Sequence, residues 1–180
     1  MISRFFLDLF ACFLIPAYTL LFAGSMRWLS TNFSVIAVTG PDHYRGFIYW
    51  GVLAGGYFFA VLNALAHRLP SLGAKIGVRV LTAASLLALA YALAIPYLPA
   101  YFPKHAVLHV ALAAGAAVLL MAALLLVILV RQDSKNLRRW GLIAAGCGAL
   151  FLIPRMVSTA REVFFTISAA LLARRLVLLN

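Results

Sequence analysis

Acidic residues are nearly absent from this chain. Asp8, Asp42, Asp133 and Glu162 are the only four in 180 residues, against fifteen Lys and Arg, and the net charge is +11. Charged residues of both signs make up only 11% of the sequence. A soluble domain typically carries about 25% charged and about 45–50% apolar residues, so an ordinary globular domain does not fit, and neither does a disordered segment. Two cysteines are too few for a disulfide-stapled scaffold. Several short signatures are also missing. There is no GxSxG, no Walker or Rossmann glycine pattern, no CxxC and no HExxH. Nucleotide-driven work, thioredoxin-like redox chemistry and a zinc finger are therefore unsupported. Cys12 and Cys147 read as buried free thiols.

What the chain has instead is apolar length. Hydrophobic residues make up 66% of it and the mean hydropathy is +1.05. A spanning helix needs roughly 20 mostly apolar residues. Six stretches meet or approach that requirement: 5–28, 46–66, 76–95, 106–130, 140–153 and 156–173. The expected fold is an all-α polytopic bundle of six spans in a single integral membrane domain, residues 1–180. Five spans are the alternative, with 140–173 partly re-entrant, because Pro154 and Arg155 interrupt that stretch. Asp8 at the start of the first apolar stretch, and the length of that stretch, argue against a cleaved signal peptide.

With an even number of spans the termini share a side. Ten of the fifteen basic residues then fall on that side, and five (Arg27, Arg45, Lys104, Arg155 and Arg161) on the other. The bias predicts cytoplasmic termini in a multi-pass protein of the cell membrane. The positive charge is the kind that sits beside anionic headgroups, and no basic run is long enough for a nucleic-acid face. The expected partners are membrane lipids, with a homo-oligomer or another membrane protein as further possibilities and no nucleic acid.

The segment Leu29–Arg45 is the longest outer loop and is expected to fold back onto the bundle as a short strand or re-entrant turn. The segment Pro96–His105 holds three prolines and should be stiff. Arg131–Trp140 reads as a solvated, basic inner loop. Because lipid tails are as apolar as Leu, helices in a membrane associate through close backbone approach and buried polar contacts. Gly51, Gly55 and Gly56, the Ala111–Gly115 and Ala113–Ala117 pairs, and Gly141, Gly146 and Gly148 supply small-residue faces for this, either within the bundle or at a homodimer seam.

Charge inside a span is expensive and marks residues to watch. Asp8 has Arg4 one turn earlier as a partner. Arg155, Ser158, Thr159, Glu162 and Thr166 recur at helical spacing and form one polar stripe, which must face the bundle interior or a wet cavity. The plainer reading of Glu162 is a buried pin to Arg45, Arg155 or Arg161. His43, His105 and His109 are all expected at the outer face, and His67 at the inner one. The four-residue spacing of His105 and His109 suits a metal. Together with His43, Asp42 or Glu162 they could hold zinc; otherwise no cofactor is expected. Ser30, Ser34 and Ser158 lie on the same side, but nothing in the sequence marks any of them as activated.

The segments Phe33–Phe58, Pro96–Pro99, Leu108–Val110 and Val157–Ile167 together resemble small six-helix bacterial membrane proteins of the domain-of-unknown-function type. The resemblance implies six helices and an inner-membrane location, and it brings no activity. The leading functional expectation is an accessory, solute- or lipid-handling protein, not an enzyme. Its outward-facing polar cluster would be drawn from Asp42, His43, Arg45, Arg155, Ser158, Arg161 and Glu162. One alternative is a metal-dependent hydrolase of lipid-like substrates using His43, His105, His109 and Glu162. The other is a packing or assembly subunit.

Overall fold

The structure, a computed structural model, describes residues 3–24, 27–152 and 157–179. Among these residues the chain is all helical and contains no strand. The helices are α1 (Arg4–Ala23), α2 (Phe33–Ala37), α3 (Pro41–His67), α4 (Leu72–Ala94), α5 (Pro103–Val130), α6 (Ser134–Leu152) and α7 (Thr159–Leu178). Four of them, α1, α3, α4 and α5, are long and apolar enough to cross a membrane. At about 1.5 Å per residue they are rods of about 30–42 Å, against a hydrocarbon core of about 30 Å. These four match the first four expected spans, with bounds shifted by a few residues. α6 and α7 are 19 and 20 residues long. They fall outside that group by charge rather than by length. Lys135, Arg138 and Arg139 occupy the first turns of α6, and Arg161, Glu162, Arg174 and Arg175 the two ends of α7.

Local chemistry sets the helix ends. Pro41 and Pro103 open α3 and α5 where a missing N–H costs nothing. Ser71 and Ser158 cap α4 and α7 through their hydroxyls. Gly24 ends α1 at φ 54°, a conformation open to glycine. Within α1, Leu9–Leu14 is a π-helical turn, and the Ile15 N–H reaches back five residues to Phe10. The widened turn directly precedes Pro16, whose ring would otherwise press on the carbonyl four residues earlier.

Polar contacts gather the helix ends into two layers. At one end Arg174 of α7 pairs with Asp8 of α1 at 2.6 Å. There too Arg68, capping α3, donates to the Val177 carbonyl, and Arg131, capping α5, donates to the Leu176 carbonyl. Both arginines thus sit on the negative end of α7. At the opposite end the start of α7 meets the segment after α1, with the Thr159 N–H on Thr31 O and the Ala160 N–H on Trp28 O. The Tyr44 hydroxyl at the start of α3 donates to Leu93 O at the end of α4. Between the layers Leu7, Tyr57, Leu62, Leu124, Ala170 and Leu176 form the centre of the main apolar core.

Several expectations change. Leu29–Arg45 does fold back, but as helix α2 rather than a strand, because the Asn32 side chain caps it at the Val35 N–H. The stretch Arg131–Trp140 is a loop only as far as Asp133. Asp133 takes the Asn136 N–H and starts α6, and Asn136 is fully buried. Asp8 has Arg174 as its close partner, with Arg4 at 3.8 Å. Cys12 faces outward on α1. The turn at Pro154 and Arg155 lies outside the described residues.

Candidate functional site

Helix α2 is the element that builds the site. Phe33 and Ile36 drive it inward, and Phe33 meets Phe22 and Trp50 edge-on with ring centroids 5.2 and 5.1 Å apart. Glu162 of α7 fixes its start, since Oε2 accepts the Phe33 N–H at 2.6 Å. With one face held by aromatic rings and its first N–H held by a carboxylate, α2 turns Ser34 toward α5.

There Ser34 Oγ lies 2.6 Å from His109 Nε2. On the far side of the same ring, His109 Nδ1 lies 2.7 Å from the Ile95 carbonyl oxygen. A carbonyl can only accept, so Nδ1 carries the hydrogen. In the neutral ring Nε2 is then the acceptor, and the Ser34 hydroxyl donates to it. Ser34 and His109 are both buried, and Tyr97 covers the imidazole with centroids 5.7 Å apart. A hydroxyl, an imidazole and an orienting acceptor therefore stand in line across three elements: α2, α5 and the end of α4.

Both side chains border a cavity of about 530 Å³. Asn32, Ser34, His109, Arg161, Glu162 and Thr166 make its polar end. Beyond them its walls are apolar, from Phe47 and Phe58 of α3, Leu86 and Leu89 of α4, and Phe165 of α7. Along α5 the lining runs from His109 to Leu125, about 24 Å at 1.5 Å per residue. Val110 and Val118 of α5 and Ala144 of α6 line the cavity and are also exposed. The cavity therefore opens on the side of the bundle between α5 and α6. Cys147 borders it as well.

The expected outer-face residues divide into two groups. Ser158, Arg161 and Glu162 do come together, Ser158 as the α7 cap and Arg161 over the Phe151 ring at 5.3 Å. Arg155 lies outside the described residues. Asp42, His43 and Arg45 stand apart at the exposed start of α3, where Arg45 lies 3.5 Å from Asp42 and His43 bonds Thr39. Asp42 and His43 border a separate pocket of about 250 Å³. His105, one turn nearer the start of α5 than His109, is exposed and stacks on Phe102. Among the described residues no three His, Cys, Asp or Glu side chains are grouped to hold a metal. The proposed set of His43, His105, His109 and Glu162 is therefore not gathered into one site. Among the described residues, the Glu162 carboxylate takes the Phe33 backbone N–H, and neither Arg45 nor Arg161 pairs with it. Ser34 is the residue whose partner the sequence hid, since its hydrogen-bond partner lies 75 positions away. No protein-family model, curated protein or solved structure matches the chain.

Proposed function

We propose that this is a multi-pass cell-membrane protein with six crossings and cytoplasmic termini, and that it holds a lipid-like amphiphile in the cavity that opens between α5 and α6. The observation that carries the reading is the shape of that cavity. It is an apolar slot with one polar end and a side opening. A ligand with an acyl chain and a polar head matches each part, since pockets take their selectivity from a few polar groups set in apolar walls. The slot extends over much of the thickness of a hydrocarbon core, so a chain can enter from the lipid without leaving the membrane. Six crossings are supported by the two-layer arrangement of helix ends, which leaves α6 running from one layer to the other. The exposed Leu142, Phe151 and Leu152 of α6 suit contact with lipid tails. The orientation rests on the ten-to-five division of basic residues.

The test is native mass spectrometry of the protein released from mild detergent. The wild-type chain should retain one phospholipid or fatty-acyl mass. Ala113→Phe, which places a ring in the slot from a lining position, should lose it while the helical circular dichroism is unchanged. A bare wild-type chain would contradict the reading.

A further inference from the structure

We propose that Ser34 and His109 form a nucleophile–base pair that cleaves an acyl ester whose chain lies in the cavity. The inference rests on the cavity reading above and deepens it. A serine becomes a nucleophile when a base stands within hydrogen-bond reach and a third group orients that base. All three parts are present. Ser34 Oγ is 2.6 Å from Nε2, and Nδ1 is held at 2.7 Å by the Ile95 carbonyl, which keeps the acceptor nitrogen pointed at the hydroxyl. A serine–histidine bond that merely pinned two helices could lie anywhere in the core. This one borders the polar end of the apolar slot, where the carbonyl of a bound ester would lie. Asn32 completes the set. Its Oδ1 is committed to the Val35 N–H, which fixes the amide orientation and leaves Nδ2 as the donor of a residue that lines the cavity, two positions from Ser34. A donor there can receive the negative charge that develops on the ester oxygen.

The chemistry balances with water as the co-reactant. Ser34 Oγ bonds to the carbonyl carbon while its proton moves to His109 Nε2. The bond from carbon to the alcohol oxygen then breaks, and Nε2 returns the proton to that oxygen. This leaves an acyl ester on Ser34. A water molecule attacks the acyl carbon and gives a proton to Nε2. The bond to Oγ breaks, Oγ regains the proton, and a carboxylic acid departs. The hydrogen on Nδ1 stays there throughout, donated to the Ile95 carbonyl oxygen.

The experiment treats the full chain in detergent micelles with a long-chain alkyl fluorophosphonate and maps the adduct by peptide mass spectrometry. Para-nitrophenyl laurate hydrolysis and retained phospholipid are measured on the same preparation. The expected result is an adduct on Ser34. Ser34→Ala should lower hydrolysis by about 10³-fold or more, His109→Gln by about 10²–10⁴-fold, and Asn32→Asp, which keeps the cap oxygen, by about 10²–10³-fold. The adduct is read on the unaltered chain, so the test stands even where a variant fails to fold. Retained phospholipid without an adduct on Ser34 overturns the catalytic pair and leaves the cavity reading in place. A chain with neither phospholipid nor adduct overturns both.

Discussion

Glu162 holds the N–H of Phe33, across 129 positions of sequence, at 2.6 Å. That contact connects the polar start of α7 to the helix that carries Ser34. Replacing Glu162 with Ala strands the Phe33 N–H and should cost about 1–3 kcal/mol. Glu162→Gln retains an acceptor and should lose less. Thermal unfolding in detergent, followed by circular dichroism, orders the three proteins wild type, Gln, Ala.

The Asp8–Arg174 pair ties the first helix to the last, with Arg174 largely covered. Asp8→Asn keeps the shape and removes the charge, and should lower stability by about 1–2 kcal/mol, the low side of a hydrogen bond to a charged group because Asp8 is partly exposed to screening solvent. The exchange of the two residues, Asp8→Arg with Arg174→Asp, should recover part of the loss. A double-mutant cycle in sodium dodecyl sulfate unfolding measures the coupling, and a value of zero refutes the tie.

Gly51 and Gly56 lie five positions apart on α3 and should respond oppositely. A side chain at Gly51 would collide with Leu93 of α4, whereas nothing lies near Gly56. Gly51→Val should therefore displace the Leu93 side chain and overpack the α3–α4 contact, at a cost of about 1–3 kcal/mol. Gly56→Ala should be neutral or stabilising by up to about 1 kcal/mol, through helix propensity. Equal effects at the two positions would remove the assigned α3–α4 contact.

Asp133 caps α6, and the N–H groups of Asn136 and Lys135 and the Asn136 amide hold its carboxyl below the usual carboxylate range. A carboxylate whose folded value is depressed stabilises the fold above its unfolded pKa, and that contribution disappears as pH falls through the folded value. Wild type should therefore lose an advantage over Asp133→Ala on acidification. At neutral pH the variant should be less stable by about 1 kcal/mol, as for a lost cap. Melting curves of both proteins from pH 7 downward should converge.

The helical class and the four long apolar helices were legible because length and hydropathy fix them without reference to any partner. The small-residue faces were legible only as a set. Gly51 and Gly146 carry close contacts, the latter against Phe164, while Gly141 and Gly148 face open space, and nothing local distinguishes them. Within the described residues, the polar stripe Ser158, Thr159, Glu162 and Thr166 was legible from its period, and Glu162 stood out by its cost in an apolar stretch. Its partner did not, because a backbone N–H leaves no mark in a sequence. The histidine spacing suggested the wrong pairing. His105 and His109 share a helical period, but the imidazole of His109 is claimed by Ser34 and Ile95. Ser34 was one hydroxyl among several on its side, and only the folding back of α2 singles it out.

The most direct test of the amphiphile cavity is photocrosslinking with a phospholipid that carries a diazirine at the middle of one acyl chain. The protein is reconstituted with the probe, irradiated and mapped by mass spectrometry. Adducts at the lining positions Ala117, Cys147 and Phe165 are predicted. Adducts confined to outward side chains such as Val52, Phe59 and Leu87 would contradict it.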